Sequence, residues 1–190
     1  PPLLGTTPRD LTLDDAEALL RSPYIRDYAP IIVGSAPVSF ESLEREVTVI
    51  GTSASYAVIR NLDTARGRFL PKGDYRRAAP VAVIGETLRS ELFGNRRALG
   101  QRIRINDRRF RVIGVLADAG ESLGMDMGDL VIVPTTQAMA LFDTESLFRI
   151  IAQATGRSAI EPGKADVSRI IKERHEGEDD VTVITQDAIL

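Results

Sequence analysis

The sequence predicts an α+β chain rich in short strands, and three observations carry that reading. Short apolar runs end at turn residues, as Val81 to Ile84 ends at Gly85. Arg102 to Ile105 and Arg109 to Val112 alternate apolar and charged residues on either side of Asn106-Asp107, the pattern of a two-residue hairpin. Near the chain ends, Leu13 to Leu20 and Val167 to Arg174 repeat apolar residues at helical spacing.

Each element follows from local chemistry. Thr12 stands three residues before Asp15, a capping-box variant, and Leu13, Ala16, Leu19 and Leu20 follow as an amphipathic helix that Ser22-Pro23 ends. From Tyr24 to Gly51 the pattern is β-like: Ile31 to Val33 is a short apolar run, Arg45 to Ile50 alternates imperfectly, and Ser39 to Glu44 supplies a polar turn between two strands. Ala54 to Asn61 reads as a weak helix. At about Asp63 the composition changes to a loop rich in glycine, proline and charge.

Beyond that loop, Val81 to Ile84 is a strand, and Leu88, Leu92 and Phe93 recur at helical spacing up to Gly94, which is placed to cap the helix. In the hairpin, Ile103 pairs with Phe110 on one face, while Arg102 stands opposite Arg111 and Arg104 opposite Arg109 on the other. Asp118 to Asp129 is a glycine-rich acidic loop, Leu130 to Val133 a strand, and Pro134 introduces a short helix through Phe142. Phe148, Ile150, Ala152 and Ala154 alternate as a strand. A helix starting near Pro162 carries Val167, Ile170, Ile171 and Arg174 on one stripe and closes at Gly177, and Val181 to Thr185 forms a last strand.

Composition narrows the function. With 43% apolar and 27% charged residues the chain is globular material, and a net charge of -3 provides no overall cationic field for nucleic acid or an anionic membrane. No apolar run approaches the roughly 18 residues of a membrane span. The absence of cysteine excludes disulfides and thiolate metal sites and leaves the compartment open.

One ordered series of segments is more specific. Gly67-Arg68-Phe69, Val81-Ala82-Val83-Ile84-Gly85, Leu92-Phe93-Gly94, Leu99-Gly100-Gln101 and Phe110-Arg111-Val112-Ile113-Gly114-Val115-Leu116 follow one another in this order. Leu11-Thr12-Leu13-Asp14-Asp15-Ala16 precedes them, and Arg174-His175 followed by Asp179-Asp180 comes after. As a series they resemble the extracytoplasmic (periplasmic) core domain of MacB-like ABC transporter permeases, from about Leu11 to Leu190. The resemblance implies a porter-like layered βαβ subdomain built from residues 1–62 and 145–190, with a second mixed α/β subdomain, residues 63–144, inserted in it.

It further implies a domain held between the first and second membrane helices of a permease in the inner membrane. There it would pass ATP-driven motion to a substrate that is exported or extracted. On that reading the chain is an excised soluble piece: Pro1 to Asp10 is too short and proline-rich to show the family's entering strand, and Gln186 to Leu190 starts the connection to the second span. The implied partners are an ABC ATPase subunit reached through absent membrane helices, a second permease copy or sister permease, and a periplasmic adaptor or lipoprotein. A freestanding α+β module that binds a peptide or protein is the alternative.

No catalytic, cofactor or metal residues are expected. The phosphate loop G-x-x-x-x-G-K-[ST] is missing, so ATP hydrolysis would belong to another domain or subunit. His175, the sole histidine, sits at the polar end of a helix between Glu173 and Glu176, where it reads as a solvated or dipole-capping residue. Gly51-Thr52-Ser53-Ala54-Ser55 lacks the glycine that a nucleophile elbow needs two residues beyond its serine, so Ser53 reads as a helix cap. Asp118, Glu121, Asp126 and Asp129 miss the spacing of a calcium loop and read as a solvated, mobile segment, and Glu176, Glu178, Asp179 and Asp180 as a charged turn. The candidate partner-binding residues are Arg102, Arg104, Arg109 and Arg111, because like charges opposed across a hairpin cost stability unless water or an acidic partner relieves them.

Overall fold

The computed structural model describes residues 10–118, 121–122 and 125–177. The predicted strand Val181 to Thr185, Glu178 to Asp180 and both chain ends lie outside the described residues. The helices are α1 (Leu13–Ala18), α2 (Ser55–Ile59), α3 (Glu86–Phe93), α4 (Thr135–Phe142) and α5 (Ile160–Arg174). The strands are β1 (Ile25–Phe40), β2 (Leu43–Thr52), β3 (Thr64–Gly67), β4 (Val81–Ile84), β5 (Arg102–Ile105), β6 (Arg108–Leu116), β7 (Glu121–Ser122), β8 (Met125–Asp126), β9 (Leu130–Pro134) and β10 (Arg149–Ala154).

Among the described residues, eight strands form one mixed sheet in the order β10-β1-β2-β9-β4-β6-β3, with β5 bridging β6 and β1. Because β5 pairs with both, β1, β2, β9, β4, β6 and β5 close a circuit of hydrogen-bonded neighbours, and β10 and β3 extend from it. Two ladders in that circuit are parallel, β2 with β9 and β4 with β6. The strands of residues 63–144 thus complete a sheet begun by β1 and β2.

Period-2 burial sorts the apolar side chains onto two faces. Val38, Val49, Ala82, Ile84, Ile103, Phe110, Val112 and Val131 join one cluster, which Leu88, Leu92 and Phe93 of α3 and Ala138 of α4 cover. Ile31, Ile50, Val83, Ile113, Leu130 and Ile132 point the other way and pack on Tyr56 of α2 and Met127. A third, smaller cluster of Ala18, Leu19, Ile170 and Ile171 holds α5 beside the end of α1.

Several elements differ from the sequence reading for physical reasons. β1 runs unbroken for 16 residues, although Pro30, Gly34 and Pro37 interrupt its apolar pattern, because β10 pairs its first part and β2 its second. β3 carries no apolar periodicity and exists through its ladder with β6. The acidic loop holds the small β7–β8 hairpin and buries Met127, so it is not simply a solvated segment. Phe148 lies before β10 and is 57% exposed, while Ile150 and Ile151 are half-buried on opposite faces, so the predicted alternation does not mark a single buried face.

Candidate functional site

The β5–β6 hairpin is built as its residues dictate. Asn106 adopts φ 53° in the turn, a left-handed conformation that asparagine tolerates, and lets the chain reverse within two residues. The register is Arg102↔Arg111, Ile103↔Phe110 and Arg104↔Arg109. Ile103, Ile105, Phe110 and Val112 are buried, which forces the intervening arginines outward. Asn106 N–H donates to the Pro37 carbonyl at 3.0 Å, and Arg104 lies opposite Ser39, so the hairpin is fixed to the far part of β1.

Arg102, Arg104, Arg109 and Arg111 are all exposed on one face, and among the described residues none of their side chains hydrogen-bonds or pairs with an acid. Each cross-strand pair therefore sets like charges against one another with only solvent to screen them. The arrangement offers four guanidinium forks on a rigid support, suited to carboxylates of a facing surface.

The other residues weighed from sequence have structural roles. His175 is not solvated: it is 4% exposed, and its Nε2–H donates to Asp15 Oδ2 at 2.8 Å. Arg174 Nε donates to Asp15 Oδ1 at 2.7 Å, and Thr12 N–H donates to Oδ2 at 3.0 Å while Thr12 Oγ1 accepts from Asp15 N–H, completing the capping box of α1. Burial pushes the Asp15 carboxyl pKa up, but the hydrogen bonds from Arg174, His175 and Thr12 outweigh it and hold the group below the usual aspartate value. The carboxylate joins the start of α1 to the end of α5.

Ser53 does not cap α2. The cap position is Ala54, with no side-chain bond, and Ser53 is buried and contributes its carbonyl to Tyr56 N–H at 3.1 Å. In the acidic loop Asp129 accepts a bidentate pair from Arg45 at 3.0 and 2.8 Å, and Asp126 accepts from Gly128 N–H at 2.8 Å. Among the described residues, no three His, Asp or Glu side chains converge as a metal site. No described helix is long and apolar enough to cross a membrane.

Comparison with known proteins gives these features a setting. A family model described as the MacB-like periplasmic core domain matches residues 2–170. The "Pyoverdine export ATP-binding/permease protein PvdT" of Pseudomonas entomophila (strain L48) is 31% identical over 183 residues, which cover 95% of this chain and 28% of that protein. The chain thus spans under a third of the length of the curated relatives it matches. The crystal structure of the extracellular domain of the noncanonic ABC-type transporter YknZ from Gram-positive bacteria superimposes with a TM-score of 0.82 at 19% identity, covering 94% of this chain and 91% of that one. The periplasmic region of MacB from Actinobacillus actinomycetemcomitans gives a TM-score of 0.80 at 22% identity, covering 95% and 81%.

Proposed function

Because the chain belongs to the MacB-like periplasmic core domain family, we propose that it works as the extracytoplasmic part of an inner-membrane ABC transporter permease, passing motion outward to a substrate and its handlers. The chemistry lies elsewhere: an ABC ATPase subunit or domain hydrolyses ATP, and membrane helices connect it to this domain. The names of relatives as export proteins favour export as the direction.

The observation that carries this reading is the path of β1. At about 3.3 Å per residue its 16 residues span roughly 50 Å. One part is paired to β10 beside the α1–α5 cluster, and the other is paired to β5 of the arginine hairpin. This hydrogen-bonded strand is the proposed path for displacement between the two ends of the domain. We keep the division into residues 1–62 with 145–190 and residues 63–144 as a proposal about motion, with the β2–β9 and β1–β5 ladders as its seam.

The arginine face is the proposed contact for acidic residues of a second permease copy, a sister permease, or a periplasmic adaptor or lipoprotein. In membranes, Arg104→Glu with Arg109→Glu is expected to lower recovery of the assembled complex at least fivefold by crosslinking. Thermal unfolding of the isolated variant should stay within about 0.5 kcal/mol of the parent, because both side chains are exposed. Unchanged assembly would remove the hairpin as a docking face.

A further inference from the structure

On the edge of the sheet, β3, the end of α3 and the 94–100 segment enclose a groove of about 410 Å³ lined by Arg66, Arg89, Arg96, Arg97, Asn95 and Leu99 among others. Four arginines line this space, and no acidic residue does. The guanidiniums of two of them are held by neighbouring groups. Arg89 donates through Nε and Nη2 to Glu86, at 2.8, 3.0 and 2.6 Å, and through Nη1 to the Gly94 carbonyl at 2.8 Å. Arg96 donates to both Glu41 oxygens at 2.6 and 3.2 Å and lies 4.9 Å from the centre of the Phe40 ring.

The other two, Arg66 and Arg97, are exposed, and among the described residues neither guanidinium makes a side-chain hydrogen bond or a close ion pair, although the Arg66 charge acts on Glu86 from a distance. Glu86 and Glu41 balance the anchored pair, so the groove keeps a surplus of two positive charges in a chain whose net charge is -3. Like charges gathered in one groove repel, and two fixed forks with two free ones match a tetrahedral dianion that accepts several charge-assisted hydrogen bonds. Leu99 gives part of the lining an apolar character.

We propose that this groove is a binding site for a phosphate group, free or carried on a lipid headgroup. It is distinct from the hairpin face, since its lining includes none of Arg102, Arg104, Arg109 and Arg111.

The test uses the 190-residue chain with arginine Nε–H signals followed by NMR at low ionic strength, titrated with inorganic phosphate and, separately, with dihexanoyl phosphatidic acid below its micellar range. Saturable shifts centred on Arg66, Arg89, Arg96 and Arg97 are expected with at least one probe. Arg66→Gln with Arg97→Gln should weaken binding tenfold or more. Arg97→Gln alone, outside any strand, should weaken it at least threefold, and Arg104→Gln with Arg109→Gln less than twofold. Equal affinity for both probes assigns a free anion, and tenfold tighter binding of the lipid assigns a headgroup. No saturable shift with either probe at 10 mM (about the weakest binding of interest, in the millimolar range), or equal loss in both double variants, overturns the proposal.

Discussion

Replacing Asp15 with alanine is expected to cost about 3 kcal/mol of folding stability, because removing one partner leaves buried charge and donors uncompensated. The carboxylate is 2% exposed and accepts from Arg174, His175 and the Thr12 backbone at once. Its loss opens the capping box of α1 and removes the acceptor of His175 Nε2, in a ring that is itself buried. Arg174→Gln should cost only about 1 kcal/mol, since that guanidinium is partly exposed and Asp15 keeps its other donors. Chemical denaturation of the isolated chain measures both values.

The same group sets an acid limit. Its pKa in the folded chain lies below the ordinary aspartate value, so its stabilisation is fully present above about pH 4 and is lost as pH falls through the lower folded value. Asp15→Asn should therefore flatten the acid limb of a stability–pH profile. An unchanged acid limb would show that Asp15 is not the group responsible.

Gly114→Ala is expected to cost a similar amount, about 3 kcal/mol, by overpacking against atoms that cannot rotate away. An added Cβ would run into the Arg68 carbonyl oxygen, with Arg68 C at 3.0 Å and N at 3.3 Å, all of them backbone. Gly114 faces Gly67, whose φ of 68° turns the chain at the end of β3, and Arg68 N–H donates to the Ile113 carbonyl at 3.0 Å. The substitution should peel β3 from β6 and displace Arg66, seen as hydrogen exchange gained over residues 64–68. Gly94→Ala would act by another cause: open space surrounds its Cβ, but its φ of 57° with ψ of -119° lies outside the left-handed helical region, and that backbone strain alone should cost about 2 kcal/mol.

The sequence was most legible where neighbours decide the outcome. Alternation around Asn106-Asp107 fixes the hairpin register, and Thr12 with Asp15 fixes the start of α1. The order of the glycine-bounded segments placed the chain in its family. What escaped depends on distant partners. The fate of His175 turns on Asp15, 160 residues away, and its flanking glutamates suggested water instead. The closed circuit needs parallel ladders between β2 and β9 and between β4 and β6, which no local pattern encodes. The groove gathers arginines from β3, α3 and the 94–100 segment, and each taken alone reads as an ordinary surface charge.

On the proposed function, this domain sits outside the cytoplasmic membrane as part of a permease. The chain has no cysteine, so Ser42→Cys at the exposed tip between β1 and β2 gives a label site unique within this domain. In cells expressing the full-length protein, a membrane-impermeant maleimide should modify Cys at this position in intact spheroplasts, with no further labelling after lysis. Labelling that appears only after lysis would place the domain in the cytoplasm and rule out an extracytoplasmic role.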